Sequence, residues 1–255
     1  MNDVTWSPLK IWSWRLVIIG AFFGLWEWSS ATGVLKPILV GRPSGIFKYI
    51  FSALFVTGEL YRDFAYTLTS ILSAFVVGSA SGVLVGMLFI TRPNIEALMS
   101  PIMLALNSMP RIALAPLFLI WFGLGMGSKI ALGFSLTFFI VLTNTVAGGR
   151  SVNPDHITLA RTLGASETQI FSKFVLPSAV PVIFNGLRLG LVFALLGVIA
   201  SEIFASDHGI GQILALYGAS FKTNSVFGII FMLAAIGVGI NLGMTALENR
   251  LLRWR

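Results

Sequence analysis

Three stretches of this chain carry no charged residue: 64–91, 28 residues long; 130–149, 20 residues; and 223–247, 25 residues. A helix rises about 1.5 Å per residue, so about 20 apolar residues cross a hydrocarbon core roughly 30 Å thick. A helix on the surface of a soluble protein keeps a polar stripe instead. Three membrane spans follow. Three more segments qualify less cleanly. Residues 16–35 contain one charge, Glu27; residues 97–128 are long enough but interrupted by Pro101, Pro110, Arg111 and Pro116; residues 180–204 hold Arg188 near the start and Glu202 near the end. The resulting expectation is an all-α integral membrane protein of one domain, residues 1–255. It has six transmembrane helices at about 14–34, 64–90, 97–124, 129–149, 180–204 and 223–247, the third of them broken. With 56% hydrophobic and 11% charged residues, the chain is far from soluble composition, where about a quarter of residues are charged. Strict alternation of apolar and polar residues is missing, which argues against a β-barrel.

Lys10 and Arg15 ahead of the first apolar run also suit a signal peptide. Trp26-Glu27-Trp28 in its second half reads instead as an interfacial anchor. There are no cysteines, hence no disulfides, and the redox compartment is left open. The net charge of +7 comes from basic residues scattered among loops, with no basic-aromatic groove that would suit nucleic acid. Their bias sets a topology. With a cytoplasmic N-terminus, Lys10, Arg15, Arg92, Arg150, Arg161, Lys173, Arg188, Arg250, Arg253 and Arg255 lie inside, while Lys36, Arg42, Lys48, Arg62, Lys129 and Lys222 lie outside. Ten against six, with Arg111 unassigned, predicts both termini on the cytoplasmic side.

Along the chain, Ser44 is expected to cap a short interfacial helix from Ile46 to Phe55 that stops at Gly58. Gly78, Gly82 and Gly86 make a small-residue surface for close helix approach, and Gly148-Gly149 and Gly237 with Gly239 are expected to act alike. Pro110 and Pro116 cannot both sit inside a regular helix without freeing carbonyls, at about 3 kcal/mol each. An arginine at mid-span costs roughly 2.5–3.5 kcal/mol. Irregular backbone at that depth survives where protein or water surrounds it. The segment from Met109 to Gly123 is therefore either a cavity lining or an interfacial turn between two short helices. Pro110, Arg111 and Pro116, with Glu202 near the end of the fifth span, are the candidates for a translocation path or gate. No G-x-x-x-x-G-K-[ST] is present, residues 123–129 having the wrong spacing. His156 and His208 stand alone in expected loops and read as solvated. The last span offers only neutral polar groups such as Asn241.

Residues 150–179 form a polar loop between two spans. Asp155 is expected to cap a helix from His156 to Leu163, Gly164 to end it, and Ser166 to cap a second helix reaching Val175. The first helix would present Leu159, Ala160 and Leu163 as an apolar knob.

The spacing of Ala160, Gly164, Phe174 and Leu176-Pro177 resembles the EAA-x3-G-x9-I-x-L-P coupling loop of ABC importer permeases, with Thr158 and Leu159 in place of its Glu-Ala. Pro110-Arg111-Ile112-Ala113-Leu114-Ala115-Pro116 through Gly125, Ser128-Lys129, Leu25-Trp26-Glu27, Gly58-Glu59-Leu60 and Thr67-Leu68 are similar to the nitrate/sulfonate/taurine group of these permeases. So are Asn185-Gly186-Leu187-Arg188, Ser201-Glu202, Gly209-Ile210-Gly211 and the Leu247-Glu248 ending with Trp254. The resemblance implies a MetI-like permease fold with a cytoplasmic coupling helix between spans 4 and 5. Thr158, Leu159, Ala160, Leu163, Gly164, Ala165, Leu176 and Pro177 would contact an ATPase subunit. It further implies a second permease copy, two ATPase subunits that bind ATP and Mg, and a periplasmic binding protein, with this chain itself in the bacterial inner membrane. The chain itself would bind no cofactor and no metal. The rival reading, a self-sufficient secondary transporter or channel, calls for inverted repeats and paired mid-span charges. No repeat is visible.

Overall fold

The computed structural model describes residues 6–251, which are helical with no strand among them. In chain order the helices are α1 (Pro8–Ala31), α2 (Pro37–Val40), α3 (Pro43–Phe51), α4 (Tyr61–Thr91), α5 (Pro93–Ser108), α6 (Ala115–Phe122), α7 (Met126–Gly149), α8 (Pro154–Thr162), α9 (Glu167–Ile170), α10 (Leu176–Phe204), α11 (Ile210–Ala219) and α12 (Thr223–Leu251). Five helical segments are long and apolar enough to cross a membrane, and a sixth arises if α5 and the Arg111–Phe122 segment, bent by 80°, count as one. Arg253, Trp254 and Arg255, part of the charge and tail readings above, lie outside the described residues.

Two compact units divide the chain. One comprises Met1–Tyr61 with Ile213–Ala234. Ser7 caps α1, accepting from the Lys10 N–H, and Pro8 occupies its first turn, where a missing N–H costs nothing. Trp26 of α1 meets Phe227 edge-on at 5.4 Å, and Phe23 stacks on Trp26 at 6.1 Å. Asn224 Oδ1 accepts the Arg42 N–H at 2.8 Å. The Ser44 cap expected from sequence does not form. Arg42 is the cap residue with Pro43 behind it, and Ser44, inside the helix, instead donates both its N–H (3.0 Å) and its hydroxyl (2.9 Å) to the Glu27 carboxylate. A carboxylate placed at that end satisfies an orphan donor and the positive end of the helix dipole. Glu27 is thus a charge within the first apolar segment that has a structural task. A π turn, Ser52–Val56, follows α3, and Gly58 takes a left-handed φ of 62° just beyond it.

The other unit is Arg62–Gln212 with Ala235–Arg255. Its core holds Ile71 and Ala74 of α4 against Leu191, Ala194 and Val198 of α10, with Ile130, Ile240 and Met244 packed alongside. Small residues set the distances. A Cβ on Gly82 would lie 2.8 Å from the Phe138 carbonyl, and one on Gly86 2.6 Å from Thr145 Cβ, so α4 and α7 touch through backbone. A Cβ on Gly197 would meet Gly133 Cα at 2.8 Å, which brings α10 equally close to α7. Close approach of this kind replaces the hydrophobic drive that lipid removes. Gly237 and Gly239 do not join in: a Cβ on either would meet nothing within 4 Å.

The entry to the fifth span also departs from expectation. α9, the π turn Phe171–Val175 and α10 form one helical run, Glu167–Phe204, of 38 residues. Leu176-Pro177 does not separate loop from span, because Pro177 sits in the first turn after the π turn, where the wider backbone spacing tolerates its ring.

Candidate functional site

Two polar constellations and one loop stand out in the larger unit. The first surrounds Glu202. Glu202 is 1% exposed, and Lys129 of α7 is fully buried beside it, Nζ 4.0 Å from Oε1. Lys129 Nζ also donates to the His208 carbonyl at 2.6 Å and lies 3.9 Å from the Tyr66 ring centre. Thr67 donates its hydroxyl to the Glu202 carboxylate at 2.9 Å.

Above this pair the chain turns into α11, and three consecutive backbone N–H groups are met by three side chains. Gly209 N–H donates to Asp63 Oδ1 at 2.7 Å, Ile210 N–H to Thr67 Oγ1 at 2.9 Å, and Gly211 N–H to Glu202 Oε2 at 2.8 Å. These are donors that a helix start leaves without intrahelical partners. Gly209 has φ +127°, and a Cβ there would lie 2.2 Å from Glu202 Oε1. The Gly-Ile-Gly turn is therefore the shape that lets backbone wrap a carboxylate.

Glu202 is thus engaged within the protein rather than facing the Arg111 cavity. The reading of Glu202 as a path-facing group is corrected: its carboxylate accepts from the Thr67 hydroxyl and the Gly211 N–H, and its charge is met by Lys129. Lys129 itself was expected at the outer end of the fourth span, counted among the outward charges. The signal that exposes it is Glu202, since a carboxylate beside an apolar span needs a cation within reach. His208 is half-buried, its ring 5.6 Å from Tyr66, and His156 lies in α8, the helix expected within the loop.

The second constellation is Arg111. It opens the 3₁₀ turn Arg111–Leu114 at the 80° bend, following extended Met109 and Pro110. Its guanidinium donates to the Ser135 carbonyl at 2.8 Å and to Asn107 Oδ1 at 2.6 Å, and lies 3.9 Å from the Phe139 ring centre. It lines a cavity of about 360 Å³ with Asn107, Pro110, Phe139, Thr143 and Phe193. The segment is thus both a turn and a cavity wall. Pro116 is corrected: it occupies the first turn of α6, where it frees no carbonyl, and it does not line the cavity. Arg111 and Glu202 belong to different constellations. Among the described residues no acidic side chain pairs with Arg111, so its charge meets only neutral dipoles and an aromatic face.

The loop holds α8 and α9. Asn153, not Asp155, is the cap of α8, accepting the Asp155 N–H at 2.9 Å, with Pro154 in the first turn. Gly164, at φ +82°, ends the helix in a Schellman motif: its N–H donates to the Arg161 carbonyl and the Ala165 N–H to the Ala160 carbonyl, both at 3.0 Å. Ser166 and Gln169 then form a reciprocal capping box at the next helix start. Leu159 and Leu163 are 58% and 77% exposed, but Ala160 is 5% exposed. Ala160 is therefore buried within this chain and is not part of a presented knob. Thr158 is exposed, and Leu176 and Pro177 lie on the helical run into α10.

Apolar helices long enough to cross a membrane, one pair bent by 80° at a break, a cavity lined by Arg111 and an ordered polar loop are together what a membrane transport subunit needs. The chain belongs to the family described as binding-protein-dependent transport system inner membrane component, which matches residues 78–253. It is 31% identical to the putative aliphatic sulfonates transport permease protein SsuC of Bacillus subtilis (strain 168), over 96% of this chain and 88% of that one. Identity is 30% to the taurine transport system permease protein TauC of Escherichia coli (strain K12), over 100% and 97%. It is 33% to the formylaminopyrimidine transport permease protein ThiX of Halalkalibacterium halodurans, over 91% of each. In fold it is similar to an amino acid ABC transporter (TM-score 0.62, 18% identity, 81% of this chain and 98% of that one). It is similar also to the inward-facing MetNI methionine ABC transporter (TM-score 0.59, 21% identity, 75% and 93%). The chain is a multi-pass inner-membrane permease subunit of an ABC transport system, and ATP hydrolysis belongs to a separate subunit. A self-sufficient secondary transporter is thereby set aside.

Proposed function

We propose that this permease forms the path for a small anionic organic solute, of sulfonate or similar charge, handed over by a periplasmic binding protein. The observation that carries the reading is Arg111. A guanidinium whose partners are one carbonyl, one amide oxygen and an aromatic face has no counter-ion among them, and of its five N–H donors only two are engaged, which leaves charge and donors for an oxoanion. The cavity it lines, about 360 Å³, has room for a solute of that size. Relatives named for aliphatic sulfonates and for taurine support the same chemistry. In this reading two identical permease copies assemble with two ATPase subunits that bind ATP and Mg. Both termini are cytoplasmic, and Leu159 and Leu163 seat in an ATPase groove.

The test is taurine and alkylsulfonate uptake by the permease–ATPase complex in proteoliposomes supplied with its binding protein. A charge-assisted hydrogen bond contributes about 1.5–3 kcal/mol, so Arg111→Gln should lower uptake roughly 10- to 100-fold and Arg111→Lys less. Uptake by Arg111→Gln equal to wild type would end the anionic reading.

A further inference from the structure

A second cavity, about 250 Å³, lies beside the one that holds Arg111. Its wall includes Glu96 and Ser100 of α5 and Arg150 at the end of α7. Thr143 of α7 belongs to both walls and is exposed. At the lower cavity the Arg150 guanidinium donates to Glu96 Oε1. The Arg150 side chain is 66% exposed and that of Glu96 19%, so solvent reaches the pair from the arginine side and screens it. Arg111 is anchored to the Ser135 carbonyl on α7. Ser135 and Arg150 are 15 residues apart, about 22 Å along the helix, with Thr143 about 12 Å from Ser135.

We infer that this face of α7 carries two anion sites in series, Arg111 and Arg150. Glu96 is the resident counter-ion of the second. An oxoanion leaving Arg111 passes Thr143, displaces the Glu96 carboxylate from the Arg150 guanidinium, and is displaced by it in turn. The screening of the pair is what makes the exchange reversible, and the bidentate fit of guanidinium to either oxoanion or carboxylate is what makes it possible. The inference rests on the anionic reading of the Arg111 cavity and adds a second site with a self-ligand.

The chain has no cysteine, so Thr143→Cys is a single reporter between the sites. The probe is 2-sulfonatoethyl methanethiosulfonate, applied to the permease–ATPase complex in liposomes. The Cys thiolate attacks the thiosulfonate sulfur, a disulfide forms and methanesulfinate leaves. Isethionate, a small sulfonate, is added as protectant. Saturable protection is expected. Glu96→Gln should lower the half-protecting concentration at least fivefold, and Arg150→Gln should raise it at least fivefold. Arg150→Lys should fall between Arg150→Gln and the parent. A merely structural ion pair would make Glu96→Gln and Arg150→Gln behave alike, which would overturn the inference. Protection that responds to Arg111→Gln but not to Glu96 or Arg150 leaves the anionic reading intact and refutes the second site. Protection that responds to Glu96 and Arg150 but not to Arg111 refutes the anionic reading of the Arg111 cavity and, with it, the two sites in series. Failure of the reagent to reach Thr143→Cys, or absence of protection in every background, refutes both.

Discussion

Lys129 Nζ lies 4.0 Å from Glu202 Oε1, and neither side chain has any exposure. Each group therefore depends on the other. A lone buried charge costs several kcal/mol, whereas loss of both together is close to neutral. The pair ties α7 to the end of α10, and through the His208 carbonyl and the Gly211 N–H it also holds the start of α11.

Lys129→Met should accordingly destabilise the permease by about 3–5 kcal/mol, since Glu202 is left buried and unpaired. Lys129→Met combined with Glu202→Gln should recover part of that loss. Thermal unfolding of the detergent-solubilised protein, compared across the two singles and the double, measures the coupling; additive effects would show that the pair does not interact.

The turn around Glu202 makes a sharper demand. Gly211→Ala puts a Cβ 2.6 Å from Glu202 Cβ and 2.8 Å from the Ile199 carbonyl, atoms that belong to the rigid helix. Gly218 of the same helix α11 has nothing within 4 Å of such a Cβ. Gly211→Ala should lower the unfolding temperature. Gly218→Ala should hold or raise it, by up to about 1 kcal/mol in stability.

In the polar loop, stability and partner binding should separate. Gly164→Ala strains a left-handed position by about 1–2 kcal/mol, and Ala160→Glu forces a charge into a buried place within the chain; both should disturb the loop itself. Leu159→Ser with Leu163→Ser removes only exposed apolar surface. It should leave the unfolding temperature unchanged while cutting co-purification of the ATPase subunit at least tenfold. Full retention of the ATPase by that double variant would refute the seating of these two leucines in an ATPase groove.

Single cysteines introduced within residues 33–44 and within residues 155–168 should label from opposite faces of the membrane with an impermeant maleimide in intact cells. Labelling of both from the same face would refute the placement of the termini.

Helix contacts offer a further check. Gly82→Leu should disrupt the α4–α7 approach, where a Cβ already meets the Phe138 carbonyl at 2.8 Å, whereas Gly239→Leu meets open space and should not impair folding. Folded yield from membranes distinguishes them.

Much of this architecture is written in the sequence as absence of charge. The clean blocks at 64–91, 130–149 and 223–247 fall within α4, α7 and α12 because nothing but a bilayer or a deep core tolerates such runs. The bend at Met109–Pro110 was legible from proline chemistry. What stayed hidden depends on residues distant in the chain. Lys129 follows a glycine-rich stretch and reads as solvated; its burial is decided by Glu202, 73 positions away. Asn153 and Asp155 are equally good cap residues by type, and the placement of Pro154 at the first helical position decides between them. Ala160 and Leu159 are both apolar in a polar loop. Which of them faces outward is set by the Schellman turn, which folds Ala165 back over Ala160.

The helical run Glu167–Phe204 has a mechanical consequence. At about 1.5 Å per residue its 38 residues make a shaft of about 57 Å, with the Ser166–Gln169 capping box at one end and the Glu202 carboxylate at the other. A shaft transmits torque as well as thrust. Twisting the capped end swings Glu202 about the axis and pulls on the Gly211 amide it holds. The softest points are the π turn Phe171–Val175 and Pro181, where the regular ladder of hydrogen bonds is interrupted. Torsional compliance at those two points limits how much of any twist at the capped end reaches Glu202.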